Sequence, residues 1–190
     1  MYNPPGIMLA NLRALFGVVV DIVLLRRGPE HLPASTALLL VAIALNLAVS
    51  AVLVAFAPKS PPTWPLQLIV GTLILLLWFR ASFEVAQKRE RFVQTMTAYI
   101  LASTVFMPAL VPLAAALQPF MADPENVKQP PAMVLIPAVV VLVWMVAVQA
   151  RIVRAAFEWP WLLSIVFILA QNFVSAFLLA LMFGTPRPEA

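Results

Sequence analysis

Five apolar runs, each bounded by proline or by charge, dominate the pattern of hydrophobic and polar positions along the chain. An uncharged run of 23 residues at 35–57 is long enough, at 1.5 Å rise per residue, to cross a hydrocarbon core of about 30 Å. Further runs at 66–79, 92–117, 132–150 and 162–184 predict four more spans. The second is short, but Arg80 can snorkel, and the helix is expected to run on through Glu84 and Lys88, an i,i+4 pair in the favourable orientation. Pro108 and Pro112 each delete one backbone hydrogen bond and predict a bend in the third span, and Pro137 interrupts the fourth.

Residues 7–27 differ, because Arg13 and Asp21 break the run. On a helical wheel Leu12, Leu15, Phe16, Val19, Ile22 and Val23 share one side, opposite Ala10, Arg13, Ala14, Gly17 and Asp21. That predicts an amphipathic helix lying in the membrane interface, closed by Arg26 and Arg27 and stopped by Gly28-Pro29. Pro58, Pro61, Pro62 and Pro65 predict a stiff turn, residues 118–131 a polar loop, and 185–190 a loose tail. The fold class expected is all-α: a single membrane domain over residues 1–190, with an interfacial helix and five transmembrane helices in an integral membrane bundle.

Composition agrees, at 63% hydrophobic and 11% charged residues with a mean hydropathy of +0.98. A soluble domain carries about 25% charged residues. The charge adds orientation. Arg13, Arg26, Arg27, Arg80, Lys88, Arg89, Arg91, Arg151 and Arg154 fall on one side of the five-span map, and only Lys59, Lys128 and Arg187 on the other. The positive-inside rule then puts the N-terminus in the cytoplasm and the C-terminus outside. The excess of Arg over Lys, with abundant Ala, Val, Leu and Pro, suggests a GC-rich bacterial genome and hence the cytoplasmic membrane of a bacterium, with the C-terminus in the periplasm.

Candidate chemistry is sparse. The chain has no Cys, which removes disulfides, thiolate metal sites and cysteine nucleophiles. All eight acids map to the interfacial helix, loops or tail, so no proton relay at membrane depth is expected. The sole histidine, His31, lies in a linker, which leaves a buried serine without a base and a metal without a ligand set. The five glycines build no P-loop or GxGxxG spacing. No catalytic, cofactor or metal site is expected, and the chain reads as a non-enzyme that does not bind nucleic acid.

Two constellations remain. Arg26, Arg27, Arg80, Lys88, Arg89, Arg91, Arg151 and Arg154 can contact anionic lipid headgroups or an acidic partner, although topology-setting charge explains them equally well. Asn46, Gln149, Gln171 and Asn172 either line a polar pocket or serve as interhelical glue. Small residues four apart, most regularly Ala176, Ala180 and Gly184, predict close helix packing, inside the bundle or between chains. Trp64, Trp78, Trp159 and Trp161 fall near span ends as interfacial anchors, and Trp144 is the inner exception.

The layout of an N-terminal interfacial segment and five spans resembles the Yip1 family of small membrane proteins, especially its bacterial members. The local match is Arg91-Phe92-Val93-Gln94-Thr95-Met96-Thr97-Ala98 leading into the proline-bearing Phe106-Met107-Pro108-Ala109-Leu110-Val111-Pro112, within a resemblance over residues 12–183. The chain shows no counterpart of the long acidic, aromatic cytosolic arm of eukaryotic relatives. The resemblance therefore implies a non-catalytic, membrane-organising or partner-binding role without their small-GTPase partnership, in contact with the bilayer and other membrane proteins. The other roles compatible with the sequence are a small permease or channel component and an accessory subunit of a large membrane complex.

Overall fold

Apolar side chains all round a helix leave nothing for water to solvate, and in lipid each backbone polar group must be satisfied within its own segment, so long apolar runs become spanning helices. The structure, a computed structural model, describes residues 5–55, 61–121 and 130–184. It contains α1 (Pro5–Val23), α2 (Thr36–Ala55), α3 (Trp64–Val85), α4 (Phe92–Met121), α5 (Ala132–Phe157) and α6 (Trp161–Phe183), with no strand among the described residues. Helices α2 to α6 are each long and apolar enough to cross a membrane. Short 3-10 turns at Pro29–His31 and Arg89–Arg91 link α1 to α2 and α3 to α4.

Helix starts follow proline. Pro65 occupies the first turn of α3, and Pro131 and Pro160 immediately precede α5 and α6, where a missing N–H costs nothing. The helices α4 and α5 outrun their apolar cores. Helix α4 continues without interruption through Pro108 and Pro112 to Met121, and α5 carries Arg151 and Arg154 in its last two turns. Of the expected loops, residues 58–60 and 122–129 lie outside the described residues, as does the tail 185–190.

Two helix ends depart from the sequence reading for one reason, a left-handed residue that is not glycine. In α1 the turn comes at Leu25 (φ 60°), before Gly28-Pro29, with Arg26 N–H donating to Asp21 O (2.8 Å) and Leu25 N–H to Ile22 O (3.0 Å). In α3 it comes at Gln87 (φ 55°), with Lys88 N–H on Phe83 O (3.0 Å) and Gln87 N–H on Glu84 O (3.2 Å). Both are Schellman closures. The second one ends α3 at Val85 and removes Lys88 from the helix, so Glu84 pairs with Arg80 (2.7 Å) and Arg89 instead.

Helix α4 is central, packing against α1, α2, α3 and α5. The core lies toward one end. Thr95 to Ile100 are buried in the first half of α4, against Phe79 and Phe83 late in α3, Val148 to Ala150, Ile152 and Val153 late in α5, and Ser164, Phe167 and Ile168 early in α6. Aromatic rings knit this end, with Phe83 stacked on Phe157 (4.3 Å), Phe157 on Trp159 (4.4 Å), and Phe79 edge-on to Phe167 (5.3 Å). Toward the other end, residues such as Val139, Val143, Phe173 and Leu181 are exposed, the surface that lipid solvates. Ala176, Ala180 and Gly184 are also exposed, with Ala180 and Gly184 beside Pro61, Thr63 and Gln67 at the start of α3, so this seam is left open within the bundle.

Helix α1 uses its apolar face to sit on α4 and α5, burying Val19, Ile22 and Val23, while Phe16 remains exposed.

Candidate functional site

Four polar side chains of α4, Gln94, Tyr99, Ser103 and Thr104, each reach a different element, while Thr97 donates back to Val93 O of its own helix (2.8 Å). Near its start, Gln94 donates from Nε2 to the carbonyls of Leu32 (2.5 Å) and Glu30 (3.2 Å), holding the linker after α1. Further along, the Tyr99 hydroxyl donates to Gln171 Oε1 of α6 (3.2 Å), and Gln149 Nε2 of α5 donates to Ser103 Oγ (3.3 Å). Asn46 Nδ2 of α2 donates to Thr104 Oγ1 (2.9 Å). Of the four amides singled out from sequence, Asn46, Gln149 and Gln171 are thus drawn to α4. Tyr99 and Ser103 share a face, and Thr104 is turned about 100° from Ser103. Asn172 stays apart, exposed and bonded to Ile168 O of its own helix (2.8 Å). The Oε1 of Gln149 and the Nε1 of Trp78 are buried without a hydrogen-bond partner.

The basic residues divide into paired and unpaired groups. Glu158, left-handed at φ 62°, follows α5 and receives Lys88 (2.8 Å) and Arg91 (2.7 Å). The same two cations reach the carbonyls that end α5. Lys88 Nζ donates to Phe157 O (3.0 Å), and Arg91 to Ala156 O (3.2 Å) and Ala155 O (3.4 Å). Cations at a helix C-terminus complement its dipole as well as its orphan acceptors. The result is a clasp joining the α3–α4 turn to the α5–α6 turn. Hydrogen bonds from Lys88 and Arg91, then their charges, hold the Glu158 carboxyl below its ordinary pKa of 4.5.

Arg80 and Arg89 share Glu84, and the Arg80 guanidinium also lies over the Phe92 ring (5.6 Å). Arg27 pairs with Asp21 across the end of α1 (3.1 Å). Arg26, Arg151 and Arg154 make no ion pair among the described residues; Arg26 and Arg154 are exposed and Arg151 half-buried. His31 is exposed, its Nδ1 near Glu30 (3.4 Å) and the Gly28 carbonyl (3.3 Å). No three metal-ligating side chains converge among the described residues.

Sequence reasoning missed three residues: Glu158 as the acceptor of the clasp, Tyr99 as the partner of Gln171, and Trp144 as a donor to Val23. Trp144 had given a signal as the one tryptophan away from the span ends. Compared with known protein families, with curated proteins and with solved structures, the chain matches none.

Proposed function

We propose that this polytopic membrane protein is a non-catalytic component of a bacterial cytoplasmic membrane, Yip1-like in layout, that engages an acidic partner protein through its basic end. The N-terminus is cytoplasmic in this reading and the C-terminus periplasmic. The observation that carries it is the division of polar groups. Tyr99, Ser103 and Thr104 of α4 are spent on bonds to other helices, while Arg151 and Arg154 near the end of α5 are left without an acidic partner among the described residues.

A role as an accessory subunit of a larger complex is favoured by the exposure of Ala176, Ala180 and Gly184, small residues that let another helix approach closely. The channel reading gains less, because Asn46 and Gln149 address different sides of α4.

The test is affinity purification of the full chain from membranes in mild detergent, beside Arg151→Gln/Arg154→Gln. A chain that co-purifies with the wild type and is lost with the double variant supports the reading. Recovery of the same chains with both, or of the wild type alone as a bare monomer, overturns it. Reporter fusions at the two termini test the threading, which requires them in opposite compartments.

A further inference from the structure

Helix α1 ends unusually deep in the bundle. Its last-turn carbonyl, Val23 O, accepts from the indole of Trp144, which lies at the mid-length of α5. Arg151 marks where α5 meets charge, seven residues and about 10 Å beyond Trp144. The turn after α1 therefore lies within the apolar stretch of α5, and Arg26 and Arg27 follow it directly.

Beside this turn is an open groove of ≈ 450 Å³, lined by Leu25, Val139, Val140, Val143, Trp144 and Ala147. The lining offers no free polar atom, because the Trp144 N–H is already committed to Val23 O. The chain leaves the groove through Arg26 and Arg27 toward Glu30 and Leu32, whose carbonyls Gln94 holds at the start of α4. The two cations directly follow Leu25 of the lining, on the stretch of chain that runs from the groove to the start of α4. Arg27 is shared with Asp21, whereas Arg26 is exposed and has no ion pair.

We propose that this groove is a binding site for an anionic phospholipid of the leaflet at the basic end, with one acyl chain along Val140, Val143 and Trp144 and the phosphate held by Arg26, assisted by Arg27. Charge complementarity selects the occupant. A cation next to hydrocarbon must either snorkel to the interface or bring an anion to itself, and a lipid phosphate provides that anion while its own tail fills the groove. The site rests on the membrane-component reading, but it needs no partner protein.

The experiment uses the full chain in vesicles, with Trp144 as the reporter. Lipids brominated along the acyl chain quench tryptophan on contact, and the contribution of Trp144 is the difference from Trp144→Phe. Brominated phosphatidylglycerol is titrated against brominated phosphatidylcholine. The expected result is a preference of about fivefold for phosphatidylglycerol at Trp144, on the basis of one well-placed arginine. The preference should fall to near one in Arg26→Gln/Arg27→Gln and persist in Arg151→Gln/Arg154→Gln. Equal quenching by the two lipids, or a preference that survives the first double variant, overturns the proposal. Loss of co-purifying chains on changing Arg151 and Arg154 bears on the partner reading alone, so the two can fail separately.

Discussion

The Trp144 indole nitrogen donates to the Val23 carbonyl over 2.8 Å, joining residues 121 apart in sequence. Val23 is the last residue of α1, where carbonyls run out of intrahelical donors, so Trp144 works as a tertiary cap. Trp144→Phe keeps an aromatic ring on the side of Phe106 and deletes the donor together with part of the indole. The expected loss is about 1 kcal/mol, the net worth of one such bond, concentrated in the docking of α1. Faster tryptic cleavage after Arg26 and Arg27, with the rest of the bundle equally protected, would show it. Unchanged cleavage would mean that the packing of Val19 and Ile22 alone fixes the helix.

The clasp at Glu158 predicts a pH dependence of known sign. The carboxyl is held below its ordinary pKa of 4.5 by Lys88 and Arg91, so between the two values the folded protein binds fewer protons than the unfolded chain. The clasp's contribution is complete above about pH 4.5 and is lost as pH falls through the lower native value. Thermal midpoints in detergent should therefore decline on acidification, and less steeply in Glu158→Gln, with the two curves converging at low pH. Parallel curves would remove Glu158 from the account. The side chain is 62% exposed, so raised salt should narrow the difference at neutral pH.

These two contacts also mark the limit of what a sequence reveals. The positions of the five spans were legible because an apolar run longer than the hydrocarbon thickness has few alternatives, and because prolines punctuate the helix starts. The ends at Leu25 and Gln87 were not, since neither residue announces a left-handed turn as glycine would. The expected Glu84–Lys88 pair failed with the second of these, because four-residue spacing has meaning only while the helix continues. Among the candidate site residues, amide character marked Asn46, Gln149 and Gln171 as needing partners in hydrocarbon. Which hydroxyl each would find depended on helix rotation and depth, which packing decides.

Gln87 offers a stabilising substitution. It is exposed and held at φ 55°, a conformation that costs an L-residue about 1–2 kcal/mol and glycine far less. Gln87→Gly should leave the Schellman bonds to Phe83 and Glu84 in place and raise stability by about 1 kcal/mol, part of the gain being offset by glycine's greater freedom when unfolded. A higher thermal midpoint in detergent is the expected reading. A lower one would mean that the Gln87 side chain makes a contribution larger than its backbone strain.

The bond from Tyr99 to Gln171 isolates the polar hub of α4 at its most buried point, both residues being under 5% exposed. Tyr99→Phe removes the donor and leaves the Gln171 oxygen unpaired, whereas Gln171→Leu orphans the hydroxyl, so each single variant costs more than the bond itself is worth. The double variant removes both partners and should recover part of the loss. In a bundle where unfolded helices still find partners within the membrane, such a bond contributes about 0.6 kcal/mol, and that is the coupling expected from the double-mutant cycle. The ring contact between Phe79 and Tyr99 (5.0 Å) survives in Tyr99→Phe, which keeps the cycle free of a packing defect on that side. Additive losses, with no coupling at all, would mean that the Tyr99 bond contributes nothing beyond the bond Gln171 Nε2 donates to Ser175 (2.9 Å), and that α4 and α6 are held together by shape.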